Sequence, residues 1–279
     1  MTVQLAPQHK VGLSLRSPLL LAGCTPELLS LYGAAPLGAV VAPEVGGRER
    51  RPTCYREFPG GIAWEATRGA LSYSGLRRLV EAAGDLPVLG SVLGAQPSAA
   101  AAAAQRLERA GVQALLVDLA MSHPERVADV LRAVRASCEL SLLAQVPFED
   151  SLDCALACCD EADSLVIAAP PRGLYPFPTP QHSPQGRDER GGGQGRPSNH
   201  SDPLLTPVRL HGPLLLPLVL RAVEQVASAV DLPLIARADP LTPADAQACL
   251  AAGASALLVD TLAFVDPVAV QALAGALRT

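Results

Sequence analysis

Between Leu232 and Leu262 the chain reads LPLIARADPLTPADAQACLAAGASALLVDTL. The apolar run Leu234 to Ala236 ends at Asp239-Pro240. Thr242-Pro243-Ala244-Asp245 then has the spacing of a capped helix start with proline in its first turn. The helix runs through Ala246 to Ala252 and stops at Gly253, where a left-handed residue can close the last turn. A second apolar run follows, Ala256 to Val259. Such short links imply parallel strands, and near-continuous apolar runs imply a sheet covered on both faces.

The same alternation recurs from the start of the chain. Leu19 to Ala22 reads as a strand, Pro26 to Tyr32 as a short helix and Ala39 to Ala42 as the second strand. Residues 46 to 73 read as irregular, with an arginine run at Arg48, Arg50 and Arg51, taken as a solvated loop, and a Gly60-Gly61 turn. The pattern then predicts a helix near Ser74 to Ala83, a strand at Val88 to Val92, a helix from Ser98 to Ala110 and a strand at Ala114 to Asp118. Next come a helix at Pro124 to Ser137, a strand at Ser141 to Gln145, a helix at Asp150 to Cys159 and a strand at Ser164 to Ala168.

There the alternation breaks. Pro170 to Pro207 is too rich in proline, glycine and polar residues to bury a core, so a lid or disordered loop is expected over about residues 170–210. Helix resumes at Leu214 to Val230, before the unit described above and a last helix from Asp266 to Leu277. Eight strands alternating with helices in one domain predict an α/β fold, a single (β/α)8 barrel of the TIM type spanning residues 1–279; a doubly wound open sheet is the alternative. In such a barrel the functional residues sit at the C-terminal strand ends, and the long loop leaves from that face.

Composition narrows the chemistry. At 279 residues and 49% hydrophobic content the chain can bury one large core. A net charge of −5 without a basic block argues against a nucleic-acid partner. Lys10, before the first strand, is the only lysine, so a buried Schiff-base lysine is not expected. No signal pattern and no run near the ~20 apolar residues of a membrane span occur, which predicts a soluble cytoplasmic protein without a membrane partner. The seven cysteines form no CxxC pair, and Cys154 and Cys158 share a helix face as packing residues. Cys24, at the end of the first strand, is either a small buried residue or a thiol in the mouth. Neither a metal-ligand set nor G-x-S-x-G is present, so no metal site is predicted.

Several short motifs stand in a recognisable order: Ser17-Pro18 through Ala22-Gly23, Gly38 to Val41, Ser91 to Gly94, Ser122-His123-Pro124, His211-Gly212-Pro213 with Pro217, and Asp245-Ala246 with Gly253-Ala254. Their order and spacing, from about residue 11 to 275, resemble the dihydroorotate dehydrogenase family of FMN-containing (β/α)8 barrels. The resemblance implies a flavin-dependent oxidoreductase acting on a CH–CH bond of a pyrimidine-like small molecule. It assigns Ala22, Gly23, Gly212, Asp239, Asp260 and Thr261 to the flavin site. Ser122 and His123 fall at the loop position of the family's catalytic base. Histidine is competent as a base, and its other reading is a rim residue beside a helix-starting proline.

The departures from the family are equally specific. Pro43 and Gln145 stand where the family has lysines, and neither supplies a cation. Ala120, Ala168 or Ala169, and a 62–75 segment without asparagine stand where the family reads its substrate through amides. Where the family holds the FMN phosphate on glycine backbone N–H groups, this chain has Ala238-Asp239 and Asp260-Thr261. A carboxylate about 4 Å from a phosphate costs roughly 4 kcal/mol per charge pair at an effective dielectric of 20, about a thousandfold in affinity. Arg237 offsets part of this or, sharing a strand face with Asp239, pairs with it. Two functions therefore stay open at this point: an FMN enzyme with eroded sites, and a catalytically silent barrel acting as a subunit or scaffold in a homo- or hetero-oligomer.

Overall fold

The computed structural model describes residues 2–33, 36–46, 55–59, 61–65, 71–119, 122–167, 170–177, 204–240, 242–260 and 262–277. Its centre is a closed barrel of eight parallel strands: β3 (Leu19–Leu21), β4 (Ala39–Glu44), β7 (Val88–Leu93), β8 (Ala114–Asp118), β9 (Ser141–Gln145), β10 (Ser164–Ile167), β13 (Leu234–Arg237) and β14 (Ala256–Val259). They close in that order, with β14 pairing β3 through Leu257–Leu19, Leu258–Leu20 and Val259–Leu21. The chain is a single (β/α)8 barrel of the TIM type, and the open-sheet alternative is excluded by this closure.

The period-two geometry of a strand splits each apolar run between two cores. Leu20, Val41, Leu89, Leu116, Leu143, Val166, Ile235 and Leu258 form one buried cluster inside the barrel. Their neighbours Leu21, Val40, Val88, Leu115, Leu142, Leu165, Leu234 and Leu257 belong to a second, outside, beneath the helices. Both sets being apolar is why the strands read as continuous hydrophobic runs rather than as alternation.

The surrounding helices start where the caps place them. Thr25 Oγ1 accepts from Leu28 N at 3.2 Å ahead of α1 (Pro26–Tyr32), and Ser72 Oγ accepts from Gly75 N at 3.0 Å ahead of α2 (Tyr73–Ala83). Ahead of α7 (Pro243–Ala251), Thr242 and Asp245 exchange bonds of 3.2 and 2.9 Å in a full capping box, as their spacing predicts. The rest of the ring comprises α3 (Pro97–Arg109), α4 (Pro124–Arg135), α5 (Ser151–Cys158), α6 (Leu216–Ala227), the one-turn α8 (Leu262–Val265) and α9 (Pro267–Ala276). Among the described residues, no helix is long and apolar enough to cross a membrane.

Two sequence expectations need correction. Residues 46–73 are not wholly irregular: β5 (Tyr55–Phe58) and β6 (Gly61–Glu65) form an antiparallel hairpin. The stretch 170–207 also carries strands, β11 (Arg172–Phe177) and the start of β12 (Leu204–His211). These four build an antiparallel sheet in the order β11-β12-β6-β5. Proline masked both strands in the sequence. Pro176 lies on an edge strand, and Pro207 lies just before β12 begins to pair with β6 at Val208, so neither removes a central ladder bond. The middle of the long loop, 178–203, and the arginines at 48, 50 and 51 lie outside the described residues.

The opposite end of the barrel is closed by β1 (Val3–Gln4) and β2 (Ser14–Leu15), an antiparallel pair whose Val3, Leu5, Leu13 and Leu15 join the interior cluster.

Candidate functional site: the C-terminal mouth of the barrel

Inward parity continues past the apolar layer and ends in polar residues. Two steps beyond Leu116, Leu143, Ile235 and Leu258 stand Asp118, Gln145, Arg237 and Asp260, so two pairs of neighbouring strands, β8-β9 and β13-β14, deliver inward side chains to one rim on either side of β10. Arg237 donates to the Gln145 amide oxygen through Nη1 and to the Asp260 carboxylate through Nη2. The sequence left a pairing with Asp239 open. The structure gives Arg237 to Asp260 instead, because Asp239 lies beyond the strand end and its carboxylate turns to backbone donors. Asp239 Oδ1 accepts from the N–H groups of Asp260 and Leu262 at 3.1 and 3.3 Å.

The antiparallel sheet supplies the other half of the site. From β12, Arg209 approaches Asp118 at 3.6 Å, with side-chain exposures of only 10% and 7%. His211 Nδ1 lies 3.8 Å from Asp239 Oδ2 and 3.9 Å from Asp260 Oδ2. Gly212 follows at φ 125°, a backbone conformation that favours glycine, and turns the chain into Pro213–Leu215 and α6. Asp118, Asp239 and Asp260 thus meet at one end of the barrel, as the strand-end rule requires. Burial pushes the Asp260 carboxyl up. The charges of Arg237 and then His211, the Arg237 hydrogen bond and the more distant Arg209 outweigh it, and the group is held below the ordinary carboxylate range.

Other sequence candidates fall in different places. Ala22 is buried beside the site, its N–H donating to Val259 O at 2.8 Å, and Gly23 follows with φ 64°. Thr261, Ala120, Ala168 and Ala169 lie outside the described residues. Ser122 Oγ donates to Gly94 O at 2.7 Å, tying the loop after β8 to the loop after β7. His123 is exposed and occupies the N-cap position of α4 without a side-chain cap bond. Neither residue joins the charged cluster. Cys24 is fully buried, its Sγ near Thr25 O at 3.6 Å, and burial pushes its thiol up to about 12, which leaves it protonated.

Sequence reasoning missed Arg209 and took His211 only as part of a motif. Their alternation, i and i+2, was the available signal, and the prolines around them hid it.

Among the described residues one cavity at this end is small. A cavity of about 20 Å3 is lined by His211, Gly212, Arg237, Asp239 and Asp260 with apolar neighbours such as Phe148 and Leu216. That is room for about one water, whereas pockets for small molecules run to hundreds of Å3. Arg237 Nε and Gln145 Nε2 are buried without an acceptor among the described residues, but a cavity of that volume makes no phosphate cradle of them.

No family model matches the chain. Its similarity to individual proteins is informative. A dihydroorotate dehydrogenase B (NAD(+)) catalytic subunit of Desulforudis audaxviator is 29% identical over 96% of this chain and 89% of that protein. Proteins of the same description match more strongly over a shorter stretch. That of Geotalea uraniireducens is 43% identical over 70 residues, 25% of this chain and 23% of its own length. That of Citrifermentans bemidjiense is 46% identical over 65 residues, 23% and 21% of the two chains.

The chain is dihydroorotate dehydrogenase-like. The likeness runs through the whole barrel, and the short matches span about a fifth of those relatives. At the ends of β13 and β14 the described residues of this dihydroorotate dehydrogenase-like barrel present carboxylates. The N–H groups of Asp260 and Leu262 already hold the Asp239 carboxylate, Asp260 adds a second negative charge, and the cavity is water-sized.

Proposed function

We propose that this chain is a catalytically silent dihydroorotate dehydrogenase-like barrel, a subunit or scaffold whose cofactor end is closed by its own side chains. The observation that carries the reading is Asp239, whose carboxylate takes two backbone N–H groups at 3.1 and 3.3 Å, donors of the kind that elsewhere hold phosphate. Arg209 and His211 add support, since they enter from β12 and pair with carboxylates at the mouth. The base position adds nothing against it: the Ser122 hydroxyl is bonded to a carbonyl, and His123 faces solvent.

The second reading is a flavin-dependent oxidoreductase acting on a CH–CH bond of a pyrimidine-like molecule. It is favoured by the similarity over 96% of the chain to a protein described as a catalytic subunit. One titration separates the two. The full chain should purify without visible flavin absorbance and leave FMN fluorescence unchanged at micromolar protein, whereas the Asp239→Gly, Asp260→Gly double variant should quench it. Submicromolar FMN affinity in the wild-type chain would overturn the silent reading.

A further inference from the structure

We propose that the outward faces of α5 and α6 form the interface of a two-fold dimer of this chain. The inference goes beyond the functional reading and is independent of whether flavin binds.

A helix on the outside of a barrel buries one stripe and turns polar residues to water on the other. α4 obeys this, with Glu125, Arg126, Asp129 and Arg132 exposed. α5 and α6, which pack side by side, do not. On α5 Leu152 and Leu156 stand about one turn apart, 36% and 51% exposed, while Cys154, Ala155 and Cys158 are buried against the barrel. Leu214, in the turn that leads into α6, and Leu218 repeat the spacing at 63% and 50%. Of the ten large apolar side chains left exposed among the described residues, these four gather on two neighbouring helices. Exposed apolar side chains gathered in this way mark a contact site.

The charges beside the leucines choose the occupant. Asp153 is exposed next to Leu152, and Asp160 continues the four-residue step just past the end of α5. On α6 the exposed Arg221 follows Leu218 by three residues and so shares its face. The ion pairs nearby use other residues, Arg132 with Glu161 at 3.3 Å and Arg135 with Asp163 at 2.7 Å. Among the described residues Asp153, Asp160 and Arg221 are left unpaired.

One stripe is therefore leucine with acids, and its neighbour leucine with a base. A two-fold axis parallel to the two helices sets α5 of one copy against α6 of the other. Leucine then meets leucine, and carboxylate meets guanidinium once on each side of the axis. An anionic lipid surface would meet the carboxylates of α5 instead. Residues 178–203, between β11 and β12, hold no aliphatic residue but proline and no Phe, Tyr or Trp, so they offer little to cover four leucines. A second copy supplies both the apolar surface and the opposite charge.

Analytical ultracentrifugation of the full chain tests this. The wild type should sediment as a dimer at micromolar concentration. Leu218→Glu should sediment as a monomer with unchanged circular dichroism, whereas Val268→Glu, at a still more exposed position on α9, should leave the dimer intact. Arg221→Asp should weaken the dimer by about tenfold or more, and adding Asp153→Arg should recover it, because the swap restores opposite charges across the axis. If Leu218→Glu does not fold, the charge-swap pair carries the test. The proposal is overturned by a wild type that stays monomeric, by a dimer that persists in a folded Leu218→Glu, or by a double variant no tighter than Arg221→Asp.

Discussion

The two ends of this barrel are closed by opposite kinds of chemistry. At the N-terminal end β1 and β2 press Val3, Leu5, Leu13 and Leu15 onto the interior cluster, and the polar contacts there, such as Ser141 Oγ with His9 Nδ1 at 3.2 Å, are few. At the C-terminal end another antiparallel element, β12, presents Arg209 and His211 to three carboxylates and Arg237. An apolar plug is stabilised by removal from water and tolerates changes of pH and salt. A charged plug contributes only while each member keeps its partners, because a buried charge left alone is costly. The difference is one of charge: the inward layer ends in buried serines, Ser141 and Ser164, at the N-terminal end and in Asp118, Gln145, Arg237 and Asp260 at the C-terminal end.

Removing one member of the charged end should have the largest effect. Arg237→Met leaves Asp260 without its guanidinium partner and should cost about 3–5 kcal/mol in urea unfolding. At the apolar end Leu15→Ala, at a fully buried position, should cost about 3 kcal/mol by cavity formation, with no dependence on salt. Equal salt sensitivity of the two variants would erase the contrast.

Asp239→Ala strips the acceptor from two backbone N–H groups and should cost about 2 kcal/mol. Asp239→Asn, which keeps an amide oxygen, should cost less; the reverse order in thermal unfolding would show that charge rather than hydrogen bonding matters there.

The acid limb of the stability curve reports on Asp260. Its carboxyl is held below the ordinary range in the folded chain, so its contribution is present above the unfolded-state value of about 3.9 and is lost as pH falls through the lower folded value. Asp260→Asn should flatten stability against pH below about pH 4. An acid limb identical to wild type would remove Asp260 from that role. The smallest effect belongs to the exposed rim: His123→Ala should change stability by less than about 0.5 kcal/mol in the same assay.

Much of the barrel was legible because it is built from local signals. Proline at the first helical turn, the Thr242–Asp245 capping box and glycine after α7 mark boundaries within a few residues of sequence, and the structure ends the elements nearly where those marks stand. The inward direction of Asp118, Gln145, Arg237 and Asp260 was also legible in principle, as a two-residue step from a buried leucine or isoleucine. The accessory sheet was not. Its strands β6 and β12 pair residues 143 to 149 positions apart, and nothing in Pro176 or Pro207 announces an edge position until the neighbouring strand is known.

By itself the sequence determined the alternation of strands and helices and the presence of Asp239 and Asp260 just past the last two barrel strands. These follow from periodicity, caps and residue identity, all of them local properties. The tertiary structure decided what those carboxylates do. It placed Asp239 on the backbone donors of Asp260 and Leu262, turned Arg237 to Asp260 and brought His211 across from β12. Charges at the end of a barrel choose partners by distance in space, and that distance is set by strand pairing far apart in the chain.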